Sequence, residues 1–184
     1  VICYKTSMKP SLQKLEQVVR NRRTTTNERR QLNQLIADNM FVTSPYLTKA
    51  NFENLHASDI QLLYELYDEN YFCGLLQSSL DTKLVSFRLS KRMTRAGGKT
   101  TRWTDPRRRR PARYEIAVAT TLLYHSFQEP EGLVTVTGFQ CENRLEALMR
   151  VMEHELVHLV ELLIWSDSSC AVRRFQDIAR RLFG

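Results

Sequence analysis

Apolar residues recur at helical spacing over residues 11–39, where Leu12, Leu15, Val18 and Val19 form one stripe and Leu32, Leu35 and Ile36 another. The polar stretch Arg22–Thr26 separates the two, and Asn27 reads as the N-cap of the second helix with Arg30 at its third position. Ser44-Pro45 ends this pattern. Ser58-Asp59 opens a further helix to about Asn70, with Ile60, Leu62, Leu63, Leu66 and Tyr67 on its apolar side. The period then changes. Lys83–Leu89 alternates and predicts a strand, Tyr114–Ala119 predicts a second, and Val134–Thr137 is a short β-prone patch. Between the first two strands, Gly97-Gly98 and an arginine run read as a loop punctuated by Pro106 and Pro111. Thr120–Phe127 predicts a short helix, and Glu129-Pro130-Glu131-Gly132 a turn. Residues 143–165 carry Leu145, Leu148, Met149, Met152, Val157, Leu159, Leu162 and Leu163 without a Pro or Gly, which predicts a long helix. Trp165–Ser169 then reads as a loop and about Val172 to Phe183 as a last helix. No repeat is visible. This order predicts an α+β fold: a small mixed sheet backed by helices, preceded by a helical N-terminal extension.

At 184 residues with 42% hydrophobic composition, the chain has the size and apolar content of one large domain or a domain with an extension. No apolar run approaches membrane-spanning length, so no membrane partner is expected. No segment has the order of a signal peptide; the chain begins at Val1, which leaves room for processing. Cys3, Cys73, Cys141 and Cys170 are widely spaced and form no CxxC pair, which argues against a zinc knuckle or a disulfide framework and favours a reducing cytoplasm.

The net charge of +7 is concentrated. Residues 94–113 hold Arg95, Lys99, Arg102, Arg107, Arg108, Arg109, Arg110 and Arg113 against Asp105 alone, which accounts for the whole excess. Arg102, Arg107, Arg108, Arg109 and Arg110, with Trp103 as a stacking surface, are candidates for nucleic-acid binding. The alternative is a solvated surface loop, which is what charge runs usually are.

The most specific chemistry is in the long helix. His154-Glu155-Leu156-Val157-His158 sets two imidazoles four residues apart, on one helical face, with a carboxylate between them. With 4 histidines in the chain, chance would supply this pattern roughly 0.006 times per chain. His154 and His158 are candidate zinc ligands and Glu155 the candidate general base of an HExxH metallopeptidase. Such a site needs a third ligand, and the only other histidines are His56 and His125. Glu161 lies on the same face as His154, but seven helical residues rise about 10.5 Å, too far to share an ion, so it reads as a supporting carboxylate. Cys170 and Asp167 are better placed, since the loop after Trp165 can fold back under the site. Cys170 reads equally well as a small residue at a helix start.

From Leu63 onward the chain resembles the SprT-like zinc metallopeptidase family, relatives of the DNA–protein crosslink protease Spartan and of small minigluzincin-type peptidases. The resemblance rests on residues 67–76 (YDENYFCGLL), residues 85–93 (VSFRLSKRM), the glycine turn Ala96-Gly97-Gly98-Lys99-Thr100, the strand Ile116-Ala117-Val118-Ala119, the HExxH pentapeptide, and the pieces Phe175-Gln176-Asp177-Ile178-Ala179 and Phe183-Gly184. It covers about two-thirds of the chain in order and implies residues 59–184 as a SprT-like metallopeptidase domain after a helical extension at 1–58. It further implies Zn2+ as cofactor, peptide or protein as substrate, DNA-associated protein among the substrates, and a cytoplasmic, nucleoid or nuclear location. The alternative is a non-catalytic SprT-like module binding nucleic acid or a protein partner through the loop 94–113. Many members place the third ligand as a histidine in His-Gly-x-x-Phe; counted back from Phe175, that position is Ala171. Cys170 or Asp167 then substitutes, or the ligand lies beyond Gly184, or the site is degraded.

Overall fold

The computed structural model describes residues 10–80, 84–107, 109–127 and 133–184; Cys3, Arg108 and the turn expected at 129–132 lie outside them. Its described elements run α1 (Pro10–Asn21), α2 (Thr26–Thr43), α3 (Ala57–Phe72), α4 (Leu75–Ser79), β1 (Val85–Ser90), β2 (Gly98–Trp103), β3 (Arg113–Ala119), α5 (Thr120–His125), β4 (Val134–Val136), β5 (Phe139–Cys141), α6 (Arg144–Ile164) and α7 (Arg173–Leu182). The fold is α+β, with sheets of three and two strands.

The larger sheet has the order β1-β3-β2. β1 runs parallel to β3 with Phe87 opposite Ile116, and β2 runs antiparallel to β3 with Thr100 opposite Ile116. β3 is the central strand and its Ile116–Ala119 segment is buried, as expected of a strand covered on both faces. The glycine turn is therefore not a loop. Gly98 is the first residue of a strand, and Arg102 and Trp103 are its last two. Its Gly-Lys-Thr-Thr-Arg-Trp composition hides it from a periodicity reading, because contact with a helix replaces apolar alternation there. β5 was likewise invisible as a three-residue piece; it pairs with β4 through Val136 opposite Phe139.

α6 runs through the middle of the molecule. Thirteen of its 21 residues are buried, a distribution too broad for a surface helix with one apolar stripe. Asn143 caps it by accepting from the Glu146 N–H at 2.9 Å. Leu15 and Val19 of α1 and Ile36 and Met40 of α2 belong to the same core as Leu63 and Tyr67 of α3 and Leu148, Met152 and Leu156 of α6. The helices expected as an N-terminal extension thus share the core of the rest. A buried polar cluster fixes their register: Glu153 accepts from Asn33 at 3.1 Å, Tyr67 at 2.9 Å and Arg150 at 2.8 Å. Removing any one donor from so enclosed a carboxylate leaves part of a charge unmatched.

Two helix starts differ from the sequence reading. α2 is capped by Thr25 in a capping box with Glu28, not by Asn27. α3 begins after His56, whose N–H donates to Asp59 at 2.7 Å. At its other end Cys73 and Gly74 take left-handed backbone, and the buried Asp68 accepts from the N–H groups of Leu76 and Gln77, both at 2.9 Å, to start α4. The described cysteines Cys73, Cys141 and Cys170 carry free thiols. Among the described residues no helix is long and apolar enough to cross a membrane.

Candidate metal centre

α6 sets His154 and His158 one turn apart, and their Nε2 atoms lie 3.2 Å from each other. Both rings pack against Phe175 of α7, with centroids 4.8 and 4.5 Å from it. The His158 ring is oriented by a relay through its other nitrogen: Nδ1 is 2.7 Å from Ser168 Oγ, and Ser168 in turn donates to Glu161 at 2.6 Å. Because the Ser168 proton is directed at the carboxylate, its oxygen accepts, which places the His158 proton on Nδ1 and leaves Nε2 with a free lone pair. Glu161 is fully buried and also accepts from Arg174 at 2.6 Å. Through Ser168 it reaches the His158 ring.

Glu155 points from α6 to β2. The Thr100 hydroxyl donates to its Oε2 at 2.7 Å and lies 3.0 Å from the Glu155 backbone carbonyl oxygen. β2 comes this close only because it starts with two glycines. A Cβ on Gly98 would sit 2.7 Å from both Cγ and Oε1 of Glu155 and 2.8 Å from Val151; one on Gly97 would sit 2.8 Å from Val151. Beyond them opens a mostly apolar cavity of about 420 Å³, lined by Leu122, Phe127, Val134, Val136, His154 and Glu155 among others.

Burial dominates the electrostatics. It pushes the Glu155 carboxyl up to about 7 against hydrogen bonding from Thr100, and pushes His154 below its ordinary value. Burial and then the neighbouring His154 take His158 down to about 4. Both imidazoles are therefore neutral at pH 7, the form that binds a metal.

Of the third-ligand candidates, the structure brings Cys170 to the histidines. The ligating atoms of His154, His158 and Cys170 all lie within 4.8 Å of one another. Asp167 is turned away, its carboxylate taken by Arg174 at 3.0 Å. His56 caps α3, and His125 is exposed at the end of α5. The nucleic-acid candidates separate. Arg102 is half-buried and donates to the Ser166 carbonyl at 3.1 Å, which makes it a tie between β2 and the segment after α6. Trp103, at the end of β2, is exposed, as are Arg107, Arg109 and Arg110 on the following turn, where Asp105 accepts from the Arg107 and Arg109 N–H groups. Ser168 and Thr100 escaped the sequence reading as site residues. Isolated hydroxyl residues carry no spacing signal, and their roles depend on which loop and strand reach α6.

Comparison of the chain with protein-family models, with curated proteins and with solved structures gives no match.

Proposed function

We propose that the chain is a zinc-dependent metallopeptidase of SprT-like type, in which His154 and His158 hold the metal and Glu155 is the general base. The observation that carries this reading is the pair of imidazole nitrogens 3.2 Å apart beside a carboxylate at the wall of an apolar cavity. Two nitrogens bound to one tetrahedral zinc lie about 3.4 Å apart, so the pair fits the ion with almost no movement. Cys170 is the third ligand in this reading. Its 4.8 Å limit exceeds the roughly 3.5 Å between a bound nitrogen and a bound thiolate, and its place on the exposed segment before α7 lets a side-chain rotation close the gap.

Zinc, when bound, polarises a carbonyl and acidifies water. Glu155 takes a proton from the attacking water and delivers it to the leaving amine, and Thr100 fixes the carboxylate for both transfers. Ser168 and Glu161 hold His158 in the tautomer that presents Nε2. The cavity accepts an apolar side chain of a peptide, and β2, an edge strand of its sheet, offers backbone groups along which an extended peptide can align. DNA-associated protein is the substrate class suggested by the SprT-like resemblance, with a cytoplasmic, nucleoid or nuclear location.

A second reading is favoured by one observation, the exposed Trp103, Arg107, Arg109 and Arg110. In it the chain is a non-catalytic SprT-like module that binds nucleic acid or a protein partner through this loop. Zinc analysis and a protein-cleavage assay on wild type and Glu155→Gln separate the two. The peptidase reading expects about one zinc per chain in both proteins and cleavage reduced about 10²–10⁴-fold in the variant. Cleavage that survives the substitution sinks it; zinc-loaded wild type without cleavage, but with binding lost on replacing the loop arginines, favours the module.

A further inference from the structure

A second concentration of charged groups lies between α1 and α7. A groove of about 700 Å³ is lined by Arg20, Arg23, Arg173, Arg174, Arg180 and Arg181, with Asp177 the one acid in its wall among the described residues. In sequence these arginines fall in two separate clusters, Arg20 with Arg23 and Arg173, Arg174, Arg180 with Arg181. Packing α7 against α1 gathers them.

Their partners leave a surplus of positive charge. Arg20 pairs with Glu16, and Arg174 with Glu161 and Asp167. Arg173 and Arg180 share Asp177. Arg181 bonds the backbone carbonyls of Val19, Arg20 and Arg22, closing the end of α1, and Arg23 has no ion-pair partner among the described residues. Burial, then Arg23, and also Arg180, pull the Arg181 guanidinium below its ordinary value, with Asp177 opposing. Groups crowded against like charge gain most from an anion brought among them. The pairs that an anion would displace are cheap to break: Arg173 and Arg180 are 93% and 74% exposed, and exposed ion pairs contribute little.

We infer that this groove is a docking surface for the phosphodiester backbone of nucleic acid. All its cations are arginines, whose planar forks match phosphate oxygens. Trp165 does not offer a free face for base stacking, since the guanidinium carbons of Arg20 and Arg174 lie over it at 5.3 and 4.5 Å. Recognition is therefore of the backbone and independent of sequence. A duplex presents one charge per about 1.7 Å and releases condensed counterions on contact; an acidic peptide is sparser and has no such atmosphere, so it is the weaker occupant. The inference does not rest on the metal-centre reading.

The test uses the full chain and a labelled duplex of about 20 base pairs, with anisotropy recorded between about 50 and 200 mM KCl. Arg23, Arg173 and Arg180 are replaced together by Ser, which spares Arg174 at the relay and Arg181 at the end of α1; a second variant replaces Arg107, Arg109 and Arg110. The groove variant should bind at least about tenfold more weakly at the lowest salt, with the slope of log K against log salt reduced by about two to three. It should keep the wild-type Tm, and duplexes of different sequence should behave alike. The inference is overturned if wild type shows no salt-dependent binding, if only the loop variant loses it, or if polyglutamate at equal charge displaces the duplex.

Discussion

The two polar regions that meet near the end of α6 are built on opposite principles. At the candidate metal centre the carboxylates and His158 are enclosed and tied: Glu155 to Thr100, His158 to Ser168, Ser168 to Glu161. In the groove the arginines stand largely in water, share too few carboxylates, and repel one another. Enclosure fixes direction, which suits a small ion and a reaction needing one geometry. Looseness conserves charge without direction, which suits a long polyanion met in many registers. Arg174 belongs to both, stacked near Trp165 in the groove and bonded to Glu161 behind the metal centre. The contrast can be broken from either side.

The largest effect is expected at Cys170. Cys170→Ala should remove a ligand and weaken zinc affinity by more than the 10–100-fold typical of an outer partner, whereas Asp167→Asn should leave affinity near wild type. Competition with a zinc-binding dye measures both. Equal affinities in wild type and Cys170→Ala would mean that the third ligand is not this thiol and that the histidine pair is completed elsewhere.

Ser168→Ala comes next. It leaves His158 in place but removes the acceptor that sets its tautomer, and it leaves the buried Glu161 with Arg174 alone. Zinc affinity should fall about 10–100-fold, and the zinc-free protein should lose about 1–3 kcal/mol, read from its Tm, because Glu161 loses a donor. Arg174→Lys, which keeps the charge but loses the fork, should give a smaller loss of the same kind. No change in either would mean that the enclosure does not tune the metal.

How much of this was legible in the sequence follows from the same contrast. His154, Glu155 and His158 are within about one turn of one helix, so spacing alone put them together, and helical rise alone set Glu161 apart from the pair. The long helix, β1, β3 and the closing helix also announced themselves by period. β2 did not, because it is recognised by what lies against it: its glycines are there to let Glu155 and Val151 approach, and a glycine pair in isolation reads as a turn. The groove was hidden for a different reason. Outside residues 94–113 positive and negative charges cancel along the chain, and only the placement of α7 beside α1 brings two separate arginine clusters into one wall. Within 94–113 the same summation does not separate Arg102, which ties β2 to Ser166, from the exposed Arg107, Arg109 and Arg110.

Gly98→Ala tests whether β2 is what makes the centre rigid. The added methyl would meet Glu155 and Val151 at 2.7–2.8 Å, so strand and helix must separate. Overpacking of this kind costs about 1–3 kcal/mol, visible in the Tm, and the displaced Thr100 should lower cleavage more than zinc affinity, since it holds Glu155 and not the histidines.

The smallest effect is expected in the groove. Arg23→Ser removes an exposed cation that bonds nothing among the described residues and repels Arg181. Stability should stay within about 0.5 kcal/mol of wild type, and any shift should be upward and strongest at low salt, where repulsion between the arginines is least screened. A clear loss of Tm would mean that Arg23 is a structural group, and the groove would then be no looser than the metal centre. An unchanged or slightly raised Tm, together with weakened duplex binding, is the signature of charges held in place for something outside the chain.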